Sequence, residues 1–153
     1  MLKLQGIAVS PGVTIGEAFV LDSEGFRIPR RFVERSAVDT ELARLRAAIA
    51  DTSQEIERNR DAIRGELGEQ YAAIFDAHLA MLHDDRLQQE LTSAVRDRNW
   101  WPEYAVSRTL RRYAKAFQNL DNHIAQRAHD IHDIERSLLR NLLGQRRETL
   151  ASI

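Results

Sequence analysis

Apolar residues recur at alternating steps of four and three from residue 38 onward, the spacing of one helix face. The first helix is predicted to begin near Ser36, where Asp39 three residues later resembles a capping partner. It is predicted to end at Gly65 and Gly68. Its predicted inward positions are Val38, Leu42, Leu45, Ile49, Thr52, Ile56, Asn59 and Ile63.

Three further helices are predicted after the first. The second covers about 69–98, and the third begins near Trp101 with Pro102 in its first turn, a position that tolerates proline. The fourth runs from about Asn122 to Gly144, which is predicted to cap its C-terminus. The predicted inward positions of the third helix are Val106, Leu110, Tyr113, Phe117 and Leu120, and those of the fourth are Ile124, Ala128, Ile131, Ile134, Leu138 and Leu142. Because the connections are only a few residues long, neighbouring helices must run antiparallel. The predicted fold is therefore mostly α, an antiparallel four-helix bundle of long, kinked helices.

The second helix carries more apolar surface than a core requires. Its apolar residues cover about 180°, whereas a core-facing stripe need span only about 100°. A step of five from Leu82 to Leu87 breaks the periodicity and predicts a kink or a break. Phe75, Leu79 and Leu82 form one predicted edge, facing the bundle. Ile74, Ala77, His78 and Met81 form the other, near the surface.

The charges around this helix suggest what the second edge does. Residues 68–85 contain four acids and no lysine or arginine, in a chain with 20 arginines. An apolar strip with an acidic margin suits docking to a basic, partly apolar protein, because the charges steer the encounter and the apolar centre supplies affinity. The alternative is a helix buried on both sides, with Asp84 and Asp85 only capping a new helix start.

The N-terminal segment has a different pattern. Six of the ten glycines and prolines lie in the first 29 residues. Two short apolar stretches, within 2–9 and 13–21, flank the turn Ser10-Pro11-Gly12 and predict two β-strands. A lone two-stranded unit is only marginally stable. We therefore expect this short β segment to belong to an incomplete sheet.

Composition limits the classes of function that the chain can have. The 153 residues carry a formal charge of −1, and the 23 acids offset the arginines, so no net field favours nucleic acid. With no cysteine, disulfides and thiol nucleophiles are excluded. No apolar run reaches the roughly 20 residues of a membrane span, so no membrane insertion and a cytoplasmic location are expected. Trp100-Trp101 is interpreted as an inter-helix plug rather than a stacking platform.

Candidate chemistry is sparse. His129, His132 and Asp133 share one side of the fourth helix at a spacing that could hold a metal, but a third strong ligand is missing. We interpret them as a polar face on which His129 meets Asp133 and Asp133 meets Arg136. The glycine-rich opening matches neither a dinucleotide fingerprint nor a P-loop. The sequence predicts no catalytic residue and no metal site.

Four segments together resemble Enzyme I of the bacterial phosphotransferase system, the phosphoenolpyruvate (PEP)–protein phosphotransferase. The first is the opening 6–18, with its G-I-A-V-S-P-G sequence. The second is 73–85, of the form A-I-F-x-x-H-x-x-(M/L)-L-x-D. The others are 127–136 and 138–144 on the fourth helix. The resemblance covers nearly the whole chain in the same order.

The resemblance implies a specific domain arrangement. Residues 30–144 would be a helical domain that docks the phosphocarrier protein HPr. Residues 1–29 would be the first strands of the α/β phosphohistidine domain into which it is inserted, and 145–153 a truncated return linker. In the family, PEP and Mg²⁺ bind a C-terminal barrel, and the phosphorylated histidine lies in a later G-G-x-x-S-H-x-A-I-x-A-R stretch. This chain contains neither, so we expect a piece without its own cofactor that works with the remainder of Enzyme I.

In this family the enzyme histidine passes phosphate from PEP to HPr for sugar uptake, and the resemblance implies which residues bind HPr. Four positions depart from the family pattern. Gln70 and Arg86 stand where the family has an acid, Ala80 stands where it has a larger apolar residue, and His123 stands where it has an aromatic residue. The implied partner-binding residues are Glu69, Gln70, Ala73, His78, Ala80, Met81, Leu82, Asp84, Leu87, His123 and Arg127.

Two alternatives remain open. One is the nitrogen-related paralogue of Enzyme I, which usually carries a sensor domain ahead of the S-P-G opening. Only five residues precede Gly6, which favours the sugar form. The other is a helical adaptor without phosphotransfer.

Overall fold

A computed structural model of the chain describes residues 12–13, 28–120 and 122–151, with side chains described up to 120 and over 127–144. Apart from Val13, the two predicted strands lie outside these residues. The described part holds five α-helices: α1 (Val38–Leu67), α2 (Glu69–Leu82), α3 (Asp85–Arg96), α4 (Pro102–Gln118) and α5 (Asn122–Ala151). The mostly helical prediction is thus confirmed, with five helices where the sequence predicted four.

The predicted second helix is broken at His83-Asp84, as the step of five had indicated. The Asp84 carboxylate accepts a hydrogen bond from the Leu87 amide at 2.9 Å and so caps α3. The Gln88 side-chain amide donates to the Leu82 carbonyl at 3.2 Å, and Ser53 Oγ lies 2.8 Å from His83 Nε2. Side chains on both sides therefore fix the break.

Both ends of α1 differ from the prediction. A short 3₁₀ turn, Arg35–Ala37, contains Ser36, so the N-cap is Ala37 and no side chain caps it. The predicted capping role of Ser36 is therefore wrong, although α1 begins only two residues later, at Val38. Gly65 lies inside the helix, and only Gly68 ends it, with a φ of 97° that favours glycine.

The predicted end of α5 is also wrong. The helix continues through Gly144 to Ala151. A Cβ added at Gly144 would meet nothing within 4 Å, so the position is an ordinary helical site. The division of the chain at residue 144 stays a prediction.

The core lies where all five helices meet. Its centre consists of leucines and β-branched residues that follow the predicted helical spacing. Nine predicted inward residues of α1, α4 and α5 are fully or nearly fully buried: Leu42, Leu45, Ile56, Val106, Leu110, Ile131, Ile134, Leu138 and Leu142. Within the described residues, no helix is both long and apolar enough to cross a membrane.

A buried ion pair joins α1 to α4. Arg44 Nη1 lies 2.8 Å from Glu103 Oε1, and Nη2 donates to Glu103 Oε2 at 2.9 Å, so the pair is bidentate. Arg44 also bonds Glu41 and donates to the Leu142 carbonyl of α5 at 2.9 Å. Burial works against the charged form of Arg44, but the two carboxylates outweigh it and raise its pKa.

The predicted tryptophan plug joins the segment before α1 to the start of α4. Trp100 forms an antiparallel bridge with Phe32, and the Trp101 amide donates to the Arg31 carbonyl at 3.0 Å. Trp100 also packs against Tyr104, with ring centroids 4.9 Å apart. Both tryptophans are half-buried, and α4 begins directly after them at Pro102.

Candidate docking groove

An open groove of about 500 Å³ separates the broken helix α2–α3 from the pair α4–α5. Its floor is apolar and comes from α4 and α5: Leu110, Tyr113, Ala116, Phe117, Ile131 and Ile134. Its opposite wall comes from α2 and α3: Ala77, Ala80, Met81 and Leu87. Charged residues stand at its margin: Asp84, Arg86 and Arg127. The groove therefore has an apolar centre and a charged rim, as a protein-binding surface requires.

Five of the residues that the resemblance had implied as partner contacts line this groove. Ala80 and Met81 end α2, Asp84 caps α3, Leu87 lies in its first turn, and Arg127 belongs to α5. The break at His83-Asp84 makes this possible, because it turns the chain so that the end of α2 and the start of α3 share one wall.

The remaining predicted contacts lie elsewhere. Glu69, Gln70 and Ala73 are exposed at the start of α2 and do not line the groove. Leu82 is a core residue, 1% exposed, so we leave it out of the docking surface. The side chain of His123 lies outside the described residues.

His78 lies behind the groove rather than on an open surface. Its side chain is largely buried, its Nε2 lies 3.0 Å from Asp130 Oδ1 of α5, and its ring meets the edge of Phe75. One ligand-type atom from each of His78, Asp130 and Asp133 lies within 4.8 Å of the others. The prediction placed His78 on the outer edge of α2, but its contact with α5 shows that the edge is covered at this residue, whereas Ile74 on the same edge stays about half exposed. We assign His78 to holding α2 against α5.

The acidic margin predicted for α2 is offset by α1. Arg60 Nη1 lies 3.1 Å from Asp76 Oδ1, and Arg64 Nε lies 2.8 Å from Glu69 Oε1. The window 68–85 contains no arginine, so its sequence alone suggested a free negative charge. The arginines come from the neighbouring antiparallel helix, which a window on one helix does not include.

Two aromatic residues of the groove were predicted only as inward positions of the third helix. Tyr113 and Phe117 are half-buried, pack against the core from one side and form the groove floor on the other. Burial, followed by the nearby Glu90 carboxylate, raises the pKa of the Tyr113 phenol. Their spacing after Leu110 correctly predicted that they lie on the inward face of α4. Only the packing of the helices shows that part of this face is left exposed in the groove.

The polar face predicted on α5 has different pairs from those expected. Asp133 meets Arg136 at 3.9 Å, as predicted. His132 Nδ1 lies 3.5 Å from the buried Glu135, whose Oε1 accepts from Arg111 at 2.9 Å and from Ser107 at 3.1 Å. Asp130, which the sequence did not single out, pairs with His78 instead.

Residues 5–127 match the family model described as PEP-utilising enzyme, N-terminal. The chain belongs to this family. It is 34% identical over 143 residues to a phosphoenolpyruvate-protein phosphotransferase of Priestia megaterium, covering 93% of this chain and 25% of the relative. The corresponding protein of Geobacillus stearothermophilus is 34% identical over 142 residues, covering 92% and 24%. The chain thus spans about a quarter of the length of the curated relatives it matches.

Solved structures agree with this family assignment. An NMR structure of Enzyme I (nEIt) superposes with a TM-score of 0.73 at 32% identity, covering 93% of this chain and 58% of that one. A structure described as the N-terminal domain of Enzyme 1 – Nitrogen gives a TM-score of 0.70 at 28% identity, covering 76% and 48%. The resemblance to Enzyme I N-terminal domains is therefore confirmed for both sequence and fold.

Proposed function

We propose that this chain is the docking part of a PEP-dependent protein phosphotransferase, and that its groove binds the small phosphocarrier HPr. The observation that carries the proposal is the convergence of Ala80, Met81, Asp84, Leu87 and Arg127 on one apolar groove. These residues come from three separate elements, and the resemblance had implied each of them as a partner contact before their positions were known.

The groove chemistry supports a protein partner rather than a small molecule. Its floor and wall are mostly apolar, whereas its charged residues are exposed and come from two sides, Asp84 and Arg86 from the start of α3 and Arg127 from α5. Asp84 is also engaged in capping α3. A small polar substrate needs convergent polar groups, whereas a protein surface can match an apolar centre with a charged rim.

In the proposed reaction this chain positions HPr and contributes no catalytic residue. A histidine in the later G-G-x-x-S-H-x-A-I-x-A-R stretch of the phosphohistidine domain would take the phosphoryl group from PEP, which binds with Mg²⁺ on the C-terminal barrel, and would pass it to HPr. Holding HPr on the groove makes the transfer effectively intramolecular, which can contribute several kcal/mol to lowering the barrier. We place this activity in the cytoplasm, where it would serve sugar uptake.

The nitrogen-related branch is the second candidate, because the chain also superposes on a nitrogen-branch N-terminal domain. Titrating the chain with the sugar-branch carrier and with the nitrogen-branch carrier separates the two. The branch whose carrier binds more tightly is the one served. Binding of neither carrier would favour the adaptor without phosphotransfer.

Ala80→Asp tests the docking site. Ala80 is exposed and lines the groove, so an aspartate folds readily but places a charge opposite an apolar partner surface. We expect HPr affinity, measured by calorimetry, to fall by at least about 2 kcal/mol. The matched control is Ala50→Asp, an exposed alanine of α1 outside the groove. Equal affinity of the two variants would contradict the proposed site.

A further inference from the structure

A second cleft, which also borders α3 and α4, differs from the groove in chemical character. It lies between α3, α4 and the segment before α1, with a volume of about 710 Å³. Five arginines line it: Arg30, Arg86, Arg98, Arg108 and Arg112. Glu90 is the sole carboxylate among its described lining residues. The lining therefore carries a formal charge of +4, in a chain whose total is −1.

Several of these arginines are held in place before any ligand arrives. The guanidinium of Arg98 lies 4.9 Å from the centroid of the Trp100 ring, and that of Arg30 lies 6.0 Å from it. Glu90 pairs with both Arg86 and Arg112. One carboxylate shared by two guanidinium groups leaves most of the positive charge uncompensated. Pre-positioned cations lower the entropic cost of binding an anion.

Arg108 completes the basic lining from the side of α4. It is exposed, and no ion pair is described for it within residues 28–120. It also lines a neighbouring depression of about 470 Å³ that includes Arg112 and Lys115. The basic surface thus continues beyond the cleft, and an anion longer than a single phosphate could follow it.

The cleft also has an aromatic wall. Trp100 and Tyr104 both line it, packed edge to face. Arginines favour phosphate through two-point hydrogen bonds, and aromatic faces favour flat, apolar rings. A volume of this size lies within the range of small-molecule sites.

We propose that this cleft binds a nucleoside polyphosphate, with its phosphates on Arg98, Arg108 and Arg112 and its base against Tyr104. This goes beyond the docking function, which uses the separate groove lined by Ala80, Met81 and Leu87. The two sites share only Arg86, which lines both.

Calorimetry of the purified chain tests the proposal, with ATP, inorganic tripolyphosphate, adenosine and a short single-stranded RNA as probes. We expect saturable ATP binding that weakens as salt is raised, because the contacts are largely between charges. Tripolyphosphate should bind at least about tenfold less tightly, because it lacks the base. Adenosine should bind weakly, because it lacks the phosphates.

Variants locate the site. Arg108→Ala should weaken ATP binding at least about tenfold, since it removes charge-assisted hydrogen bonds. Arg58→Ala, an exposed arginine of α1 outside the cleft, is the control and should bind as the parent does. Circular dichroism should show the same helix content in both.

Four results would overturn the proposal: no saturable ATP binding, tripolyphosphate binding as tightly as ATP, RNA binding more tightly than ATP, or equal losses in Arg108→Ala and Arg58→Ala. HPr docking would be unaffected by any of them, so the two functions fail independently.

Discussion

The helix pair α4–α5 and the broken pair α2–α3 face each other across the groove, yet they use apolar and charged residues in opposite ways. On α4–α5 two carboxylates are buried, and each pairs with an arginine: Glu103 with Arg44, and Glu135 with Arg111. On α2 the apolar residues outnumber what the core covers, so Tyr71 and Ile74 are about half exposed. The α4–α5 side contributes mainly to the stability of the fold, whereas the α2–α3 side leaves apolar surface exposed for a partner.

The difference shows where stability and binding are located in this domain. Removing a partner from a buried ion pair leaves an uncompensated charge, so substitutions on the first side should act on folding. Substitutions at exposed positions of the second side should act on docking with little effect on folding.

Glu103→Ala should have the largest effect. It leaves Arg44 buried without its bidentate partner, and we expect the free energy of unfolding to fall by about 3–5 kcal/mol. Urea denaturation measures this loss. Glu57→Ala, at an exposed position of α1, is the control and should change stability by less than about 0.5 kcal/mol. If both variants unfold alike, the buried pair does not secure the α4–α5 side.

Asp130→Ala tests the contact that joins the two sides. It removes the carboxylate that lies 3.0 Å from Nε2 of the largely buried His78. We expect a loss of about 1–3 kcal/mol in the free energy of unfolding. Asp133→Ala should cost no more than about 0.5 kcal/mol, because its pair with Arg136 is exposed. The reverse order would show that Asp133 is the residue that secures α2.

Asp84→Ala tests the break in the α2–α3 wall. It removes the side-chain acceptor of the Leu87 amide, and the loss of an N-cap costs typically about 1 kcal/mol. Asp85→Ala, in the same turn but without the cap bond, should cost less. Thermal unfolding compares the two, and equal losses would mean that the cap does not fix the break.

Gly65→Ala and Gly144→Ala should have the smallest effects, and these should be stabilising. Both glycines lie inside helices with open space at the Cβ position. Alanine in a helix interior is favoured over glycine by about 0.5–1 kcal/mol. Loss of stability in either variant, measured by urea denaturation, would show that one of the helices needs the flexibility of glycine there.

These positions also show how much of the fold can be predicted from the sequence. The break after Leu82 and the helix start at Pro102 were predictable because each depends on neighbours a few residues away. Gly65 and Gly144 could not be placed correctly, because tertiary packing offsets the weak helix propensity of glycine, and sequence alone does not show that packing.

The candidate site follows the same rule. Apolar surplus on the second helix was visible in the sequence, but its position opposite Tyr113 and Phe117 depends on how α4 packs. The Arg44–Glu103 and His78–Asp130 pairs join residues more than fifty positions apart. No local pattern marks such partners, and the arginines that offset the acids of α2 come from α1 for the same reason.

The central claim is that the groove between α2–α3 and α4–α5 is where HPr docks. The most direct test is a titration of the ¹⁵N-labelled chain with unlabelled HPr, followed by amide chemical shifts. The account predicts shifts concentrated at residues 77–87, 113–117 and 127. Shifts confined to the outer face of α1 or to the arginine cleft would contradict it.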